Sequence, residues 1–114
     1  MHELAVTENI VSIALAKAAE AQASKIIQID VVIGELSGFV PDSIEFYFEF
    51  LGKDTIAQGA VLRFESVPTQ LRCRDCGAVF RPQEETLWSC PKCRSRSVEI
   101  SRGREFYVES IEVE

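Results

Sequence analysis

Apolar residues near the start of the chain recur at the spacing of one helical face. This pattern predicts an amphipathic helix over residues 4–22, which no Gly or Pro interrupts. Glu3 lies in its first turn, where a carboxylate suits the positive end of the helix dipole. The stripe expected to face the core comprises Leu4, Thr7, Val11, Ala14, Leu15 and Ala18.

A β-branched run over residues 25–34 comes next and predicts a strand that ends at Gly34. A second helix is predicted from Pro41, because proline suits the first helical turn, to a stop at Gly52. The core face of the strand is expected to carry Ile27, Ile29, Val31 and Ile33.

Two further segments alternate apolar and polar residues and predict strands over residues 60–67 and 105–113. The alternation of the last segment slips near Ser110, which indicates a bulge. A lone terminal strand is not stable by itself, so we expect it to return to the first sheet. The predicted fold is therefore α+β, with two helices on a small mixed three-stranded sheet and an inserted lobe that contains the four cysteines. The predicted domains are residues 1–67 plus 105–114 and, as the insert, residues 68–104.

Composition is typical of one globular domain carrying a small insert. The chain has 114 residues, 46% of them apolar, without a run of about 18 apolar residues or a start typical of a signal peptide. We therefore expect a cytoplasmic protein, in which disulfides are disfavoured. The net charge of −6 argues against general nucleic-acid binding, but its distribution is uneven. The stretch from Arg72 to Arg104 carries +4 and the remainder −10, which suggests two lobes with different partners.

The four cysteines form two pairs, Cys73-x-x-Cys76 and Cys90-x-x-Cys93, separated by thirteen residues. Two thiolates from one tight turn point the same way, and two such turns supply the tetrahedral sulfur site that zinc accepts. The protein fills all four positions, so the predicted role is structural. Iron suits the same geometry, and the spacing resembles rubredoxin. Arg94 follows the second pair in place of Gly, however, and the quartet covers a small part of the chain, which favours zinc.

The chain contains a single histidine, His2, next to its first residue. The terminal amine, a main-chain amide nitrogen and the imidazole of such a residue can hold one divalent ion in fused chelate rings. Ni²⁺ and Cu²⁺ favour square-planar nitrogen ligation of this kind. The alternative is an exposed histidine without a function.

Together these features resemble the HypA/HybF family of nickel-incorporation proteins for nickel–iron hydrogenase maturation. The resemblance covers essentially the whole chain and rests on the four-cysteine module together with Met1-His2-Glu3-Leu4, Ile33-Gly34-Glu35-Leu36 and Pro41-Asp42-Ser43. It implies a nickel metallochaperone, not an enzyme, that contains structural Zn²⁺ and transports Ni²⁺.

The resemblance also implies site residues and partners. Nickel is expected at His2, with main-chain nitrogens of Met1, His2 and Glu3, and with Glu35 or Asp42 as candidates for an acidic ligand. The implied partners are a HypB-like GTPase, the hydrogenase large-subunit precursor and, in some members, urease maturation proteins. Neither nucleic acid nor a membrane is expected, and the chain is expected to be a monomer or weak homodimer. The expected zinc ligands are Cys73, Cys76, Cys90 and Cys93.

The other function classes to weigh are a zinc ribbon, a rubredoxin-like electron carrier, which iron in the four-cysteine site would indicate, and an enzyme. A zinc ribbon that binds nucleic acid or protein without any nickel function would use the basic residues of the insert, with Phe80 and Trp88 stacking on bases. The acidity of the whole chain counts against it. An enzyme is disfavoured because the one histidine lies at the start of the chain and every cysteine is assigned to metal.

Overall fold

A computed structural model describes residues 2–84 and 88–114 of the chain. Two helices and six strands are present in this part, close to the bounds that the sequence predicts where a prediction exists. The elements are α1 (Glu3–Glu20), β1 (Ile26–Gly34), α2 (Pro41–Leu51), β2 (Val61–Val67), β3 (Gln70–Cys73), β4 (Val79–Phe80), β5 (Val98–Arg102) and β6 (Phe106–Val113).

The strands form two separate three-stranded sheets. The first sheet has the order β2-β1-β6, with β1 parallel to β2 and antiparallel to β6. The last strand therefore returns to the first sheet, and the sheet is mixed, so the predicted fold class is confirmed. The second sheet, β4-β3-β5, is antiparallel and is formed by strands that lie between β2 and β6 in the sequence. None of the helices that the described residues form combines the length and apolar character needed to cross a membrane.

The central strand β1 carries the core, with one departure from the expected alternation. Ile29, Val31 and Ile33 are buried in the main apolar cluster, as predicted. The prediction for Ile27 is wrong, because Ile26 is fully buried while Ile27 is only half-buried. Opposite β6, Ile26 pairs with Val113 and Gln28 with Glu112, so Ile27 is an extra residue that shifts the alternation.

Helix α1 buries a stripe that begins one residue earlier than predicted. Leu4 is 46% exposed, so its assignment to the core face is wrong, while Ile10 is only 2% exposed. The position next to α2 is occupied instead by Glu3, whose Oε2 accepts a hydrogen bond from the main-chain N–H of Val40 at 3.2 Å. The predicted core positions that are buried are Thr7, Val11, Ala14 and Ala18.

Strand β6 contains the bulge that the sequence indicates near Ser110. Ser110 pairs with Asp30, whereas the next residue of β1, Val31, pairs with Val108. Glu109 is therefore the extra residue. The bulge returns Val108 and Ile111 to the face that packs on the core, so both contribute apolar surface to it.

The two sheets meet at three chain segments, which we call the junction: residues 34–36, 68–69 and 103–105. The N–H of Gly34 donates to the carbonyl of Glu105 at 2.7 Å, and the N–H of Leu36 donates to the carbonyl of Gly103 at 2.6 Å. A Cβ at position 34 would lie 2.1 Å from the Gly103 carbonyl oxygen. Only a residue without a side chain allows this approach.

The middle segment of the junction is held by one carboxylate. Thr69 is 6% exposed, and its N–H and Oγ1 donate to the two oxygens of Glu35 at 3.3 and 3.4 Å. The same carboxylate lies 3.8 Å from the guanidinium of Arg81, which follows β4. The segment that connects β2 to β3 is therefore short and anchored, and Gln70 already belongs to β3.

Gly34→Ala is expected to lower the free energy of unfolding by about 3 kcal/mol, because the new Cβ forces two backbone segments apart. Gly59→Ala is the control. Gly59 has φ +82 and nothing within 4 Å of an added Cβ, so its cost is the left-handed backbone alone, about 1 kcal/mol. Urea denaturation of the zinc-loaded proteins measures both. Equal destabilisation by the two substitutions would contradict the packing described for the junction.

Candidate metal centre

The first cysteine pair lies on a turn that follows β3. The N–H of Cys73 donates to the carbonyl of Ala78, and the N–H of Gly77 donates to the carbonyl of Cys73, both at 2.9 Å. Gly77 closes the turn with φ 78. Glycine adopts this left-handed conformation without a steric penalty, so the residue after Cys76 shapes the turn.

The second cysteine pair adopts the same turn with an arginine in the glycine position. The N–H of Cys90 donates to the carbonyl of Ser95 at 2.8 Å, and the N–H of Arg94 donates to the carbonyl of Cys90 at 2.7 Å. Arg94 has φ 63, the conformation of Gly77 in the first turn. Its presence after the second pair therefore does not change the turn, at a backbone cost of about 1 kcal/mol.

The two turns bring all four sulfur atoms into one cluster. The Sγ atoms of Cys73 and Cys93 lie 3.5 Å apart and those of Cys76 and Cys90 3.6 Å apart, and all four lie within 4.8 Å of one another. Neither separation is that of a disulfide, about 2.05 Å. A tetrahedral zinc ion with Zn–S bonds near 2.3 Å places its sulfur atoms about 3.8 Å apart. The cluster therefore fits a structural zinc site.

Main-chain N–H groups favour ionisation of one thiol in each turn. Those of Cys93 and Lys92 point at the Cys90 sulfur from 3.5 and 3.4 Å and lower the pKa of Cys90 to about 6. The N–H of Cys76 likewise lowers the pKa of the Cys73 thiol. Both sulfurs are buried, so these thiolates are stabilised by hydrogen bonds instead of water.

The other two thiols resist ionisation. The N–H of Ser95 favours the Cys93 thiolate, but the adjacent Cys73 sulfur and burial outweigh it and raise the pKa of Cys93 to about 12. At Cys76 the N–H of Ala78 is similarly outweighed by burial and by neighbouring thiols, so its pKa is raised as well. Four thiolates at this spacing need a divalent cation. Zinc affinity should therefore fall as the pH falls, since protons compete for the sulfurs.

Basic side chains surround the cluster unevenly. On β3 and in the first turn, Arg72 and Arg74 share the carboxylate of Glu99 at 2.8 and 3.9 Å. By contrast Lys92, Arg94 and Arg96, in and after the second turn, are exposed and form no ion pair among residues 2–84 and 88–114. Among the described residues, most basic side chains of this part of the chain that lack an ion pair thus lie in and after the second turn, and Arg104 is the other one.

The candidate nickel residue, His2, is exposed to solvent, unlike the buried Cys73 and Cys90 of the four-thiol cluster. His2 is the N-cap of α1, its side chain makes no capping hydrogen bond, and its carbonyl accepts the N–H of Val6 at 3.1 Å. The hydrogen bond from Val40 to Glu3 joins the start of α1 to the start of α2. His2 therefore lies where two helix N-termini meet.

The two acidic candidates have different surroundings. Glu35 is engaged by Thr69 and Arg81 at the junction. Asp42 is exposed in the first turn of α2, two residues after Val40. In the part of the chain that the structure describes, the four cysteines are the one group of three or more His, Cys, Asp or Glu side chains at metal-binding distances. Met1 lies outside that part.

Two contacts that support these sites were not predicted from the sequence. The sequence explains Glu3 by the helix dipole alone, but its carboxylate also accepts a hydrogen bond from the N–H of Val40, 37 residues away. The family resemblance makes Glu35 a candidate nickel ligand, but its carboxylate accepts a hydrogen bond from the N–H of Thr69, 34 residues away. Periodicity carries no signal for such long-range hydrogen bonds, although a carboxylate on the buried side of a helix start is an unusual position.

The fold and the four-thiol cluster define a metal-binding protein. Residues 1–113 match a sequence model of the family described as hydrogenase/urease nickel incorporation, metallochaperone, HypA. The chain belongs to this family. The function class predicted from the sequence, a nickel metallochaperone of hydrogenase maturation with structural zinc, is confirmed, and the zinc-ribbon alternative without a nickel function is not favoured.

Relatives and solved structures match over nearly the full chain. The chain is 47% identical over 114 residues to the hydrogenase maturation factor HypA of Dehalococcoides mccartyi, covering 100% of this chain and 95% of the relative. It is 44% identical over 115 residues to that of Caldanaerobacter subterraneus subsp. tengcongensis, covering 100% of both. The solution structure of the Ni metallochaperone HypA from Helicobacter pylori matches with 31% identity and a TM-score of 0.70, covering 99% of this chain and 97% of that one.

Cys90→Ser is expected to weaken zinc binding by about a hundredfold or more, since even outer-sphere changes cost metal sites 10–100-fold. Ser66→Ala, an exposed change on β2, is the control and should retain zinc. Competition with a chromophoric chelator measures the affinity, and hydrogen exchange on β3 reports whether the second sheet loosens. Unchanged zinc affinity in Cys90→Ser would contradict the four-sulfur site.

Proposed function

We propose that this chain binds Ni²⁺ through His2 and adjacent main-chain nitrogens, and delivers it to a nickel–iron hydrogenase precursor. The observation that carries the proposal is the position of His2 as an exposed N-cap beside the start of α2. The His2 imidazole makes no capping hydrogen bond to the first turn of α1. The first main-chain nitrogens of α1 have no partner within the helix and are close to it in the sequence.

Main-chain nitrogen is needed because side chains alone do not complete this site. Among residues 2–84 and 88–114 no second group of three ligand side chains exists. Imidazole, the terminal amine of Met1 and the amides of His2 and Glu3 supply the planar nitrogen set that Ni²⁺ favours. A site of this composition exists only when the chain begins at its natural amine.

Asp42 is the better candidate for an acidic ligand than Glu35. The Glu35 carboxylate already neutralises Arg81 and bonds Thr69, so nickel would have to break the junction to use it. Asp42 is exposed at the start of α2, the helix end to which Glu3 ties the start of α1. We therefore propose Asp42 as an additional ligand or charge partner.

The electrostatics of this site favour release. Two helix N-termini point their positive dipole ends at the bound cation, which is unfavourable. The carboxylates of Glu3 and Asp42, and an amide deprotonated on binding, offset this charge. The site is exposed, and its positive helix dipoles are only partly offset by the carboxylates. Nickel therefore binds there reversibly, as a carrier requires.

We propose that the parts of the chain that form the two sheets have different functions. Residues 1–67 plus 105–114 hold nickel, while residues 68–104 form a zinc-containing insert whose ligands are Cys73, Cys76, Cys90 and Cys93. Zinc in such a closed four-sulfur site contributes folding free energy and leaves no position for substrate. The insert thus serves as a rigid docking element, and no catalytic role is proposed for any residue.

The proposed partners follow from the family. A HypB-like GTPase would exchange nickel with this chain, and the hydrogenase large-subunit precursor would receive it. Urease maturation is a second route that the family description includes. We place these events in the cytoplasm, where reduced thiols keep the zinc site intact.

His2→Ala is expected to reduce nickel affinity at least about tenfold, because it removes the one imidazole while leaving the zinc lobe unchanged. Isothermal titration with Ni²⁺, on protein without an N-terminal tag, measures the affinity, and elemental analysis verifies zinc. Glu8→Ala on the exposed side of α1 is the control. Nickel binding that survives His2→Ala at full strength would refute the proposed site.

Asp42→Asn is expected to weaken nickel binding by several-fold, about as much as one charge–charge contact contributes near a surface. Glu35→Gln should leave nickel affinity unchanged, because its carboxylate serves the junction. The same titration applied to both variants distinguishes the two acids. The reverse order of effects would show that Glu35 is the ligand.

A further inference from the structure

The outer face of α2 exposes two aromatic side chains that the fold does not use. Phe46 is 56% exposed and Phe50 64% exposed. They lie one helical turn apart, with ring centroids 5.2 Å apart and an interplanar angle of 75°, so they stack edge to face. Scattered exposed apolar residues are ordinary, but an ordered aromatic pair on one helix face indicates a surface for binding.

The core side of α2 is provided by other residues. Ile44 is fully buried and Phe48 is 5% exposed, and both belong to the main apolar cluster. Phe46 and Phe50 therefore point away from the surface that stabilises the helix. Their replacement should cost little stability, so neither residue is explained by folding.

Acidic residues accompany the aromatic pair at the same helical spacing. Glu45 and Glu49 each precede one of the phenylalanines, are exposed, and form no ion pair within residues 2–84 and 88–114. Helix α2 contains no basic residue at all. The aromatic and acidic side chains form a stripe of two turns, which we call the α2 face: Glu45, Phe46, Glu49 and Phe50.

A groove runs along the α2 face on its β2 side. It has a volume of about 220 Å³ and lies between Glu45 and Glu49 on the helix and residues 60–62 at the start of β2. Val61, which is 58% exposed, adds a further apolar side chain to its wall. The lining of the groove is mainly polar, with Val61 as its exposed apolar contact and the two glutamates at its rim.

We propose that the α2 face and its groove dock a basic, amphipathic segment of a partner protein. Apolar side chains of that segment would cover Phe46, Phe50 and Val61, and its lysine or arginine side chains would pair with Glu45 and Glu49. An amphipathic helix that lays its apolar face against an exposed apolar surface is a recurrent mode of recognition. The charge of the face selects the sign of the partner.

The negative charge of the α2 face also disfavours two other binding partners, a second copy of this chain and an anionic membrane. A second copy docking through the same face by two-fold symmetry would place Glu45 and Glu49 against themselves, which costs free energy. Anionic lipid headgroups would be repelled for the same reason. The proposal does not depend on nickel ligation by His2, since none of the residues in the α2 face belongs to that site.

The test is a fluorescence anisotropy titration of the zinc-loaded protein against a labelled helical peptide of leucine and lysine. The paired variant E45K/E49K is expected to weaken binding by about tenfold or more, and F46S/F50S by a similar factor. The matched control E8K/E112K makes the same charge change at two exposed acids elsewhere and should retain binding. A leucine–glutamate peptide of the same design should not bind.

Several outcomes would overturn the proposal. One is an equal loss of binding in E8K/E112K, which would show that the peptide responds to the net charge of the protein and not to the α2 face. Another is unchanged binding in F46S/F50S while circular dichroism shows that the variant is folded. A third is a concentration-dependent dimer in sedimentation that F46S/F50S abolishes, which would assign the face to self-association. Nickel titration of each variant keeps this result separate from the nickel proposal, because it should be unchanged throughout.

Discussion

The close approach of Gly34 and Gly103 is the contact on which the rest of the structure depends. The chain leaves the first sheet after β2, forms the second sheet, and returns to pair β6 with β1. For that return to succeed, the end of β1 must touch the returning backbone, and a Cβ at position 34 would lie only 2.1 Å from the Gly103 oxygen. Glu35, adjacent to this contact, fixes the outgoing segment through Thr69. The junction thus anchors the four-thiol lobe instead of leaving it on a free linker.

The two proposed metal sites differ in ligand type and exposure, and this difference suits permanent zinc binding at one and nickel transfer at the other. Four sulfurs, two of them buried, enclose one site, and main-chain N–H groups prepare Cys73 and Cys90 for ionisation. Such a site keeps its ion and contributes to folding. The other site is a single exposed imidazole at a helix start, where dipoles oppose a cation. One chain can therefore hold zinc permanently and transfer nickel.

Most of the fold was predictable because its signals are local. Periodicity located both helices and the three strands of the first sheet, and the slip near Ser110 marked a bulge. The bulge at Ile27 left no trace in a uniformly β-branched run, so the assignment of its face was wrong. Leu4 was misplaced because the carboxylate of Glu3 takes the inner position through a partner 37 residues away. Cysteine spacing indicated the zinc site, whereas the role of Glu35 at the junction required the structure.

The most direct test of the account is nickel K-edge X-ray absorption on the zinc-loaded chain with its natural N-terminus and one equivalent of Ni²⁺. We predict a coordination sphere of nitrogen and oxygen with the multiple scattering of one imidazole and no sulfur. Nickel–sulfur scattering would place nickel among the cysteines. That result would contradict the central claim that this protein keeps its carried ion and its structural ion at separate sites.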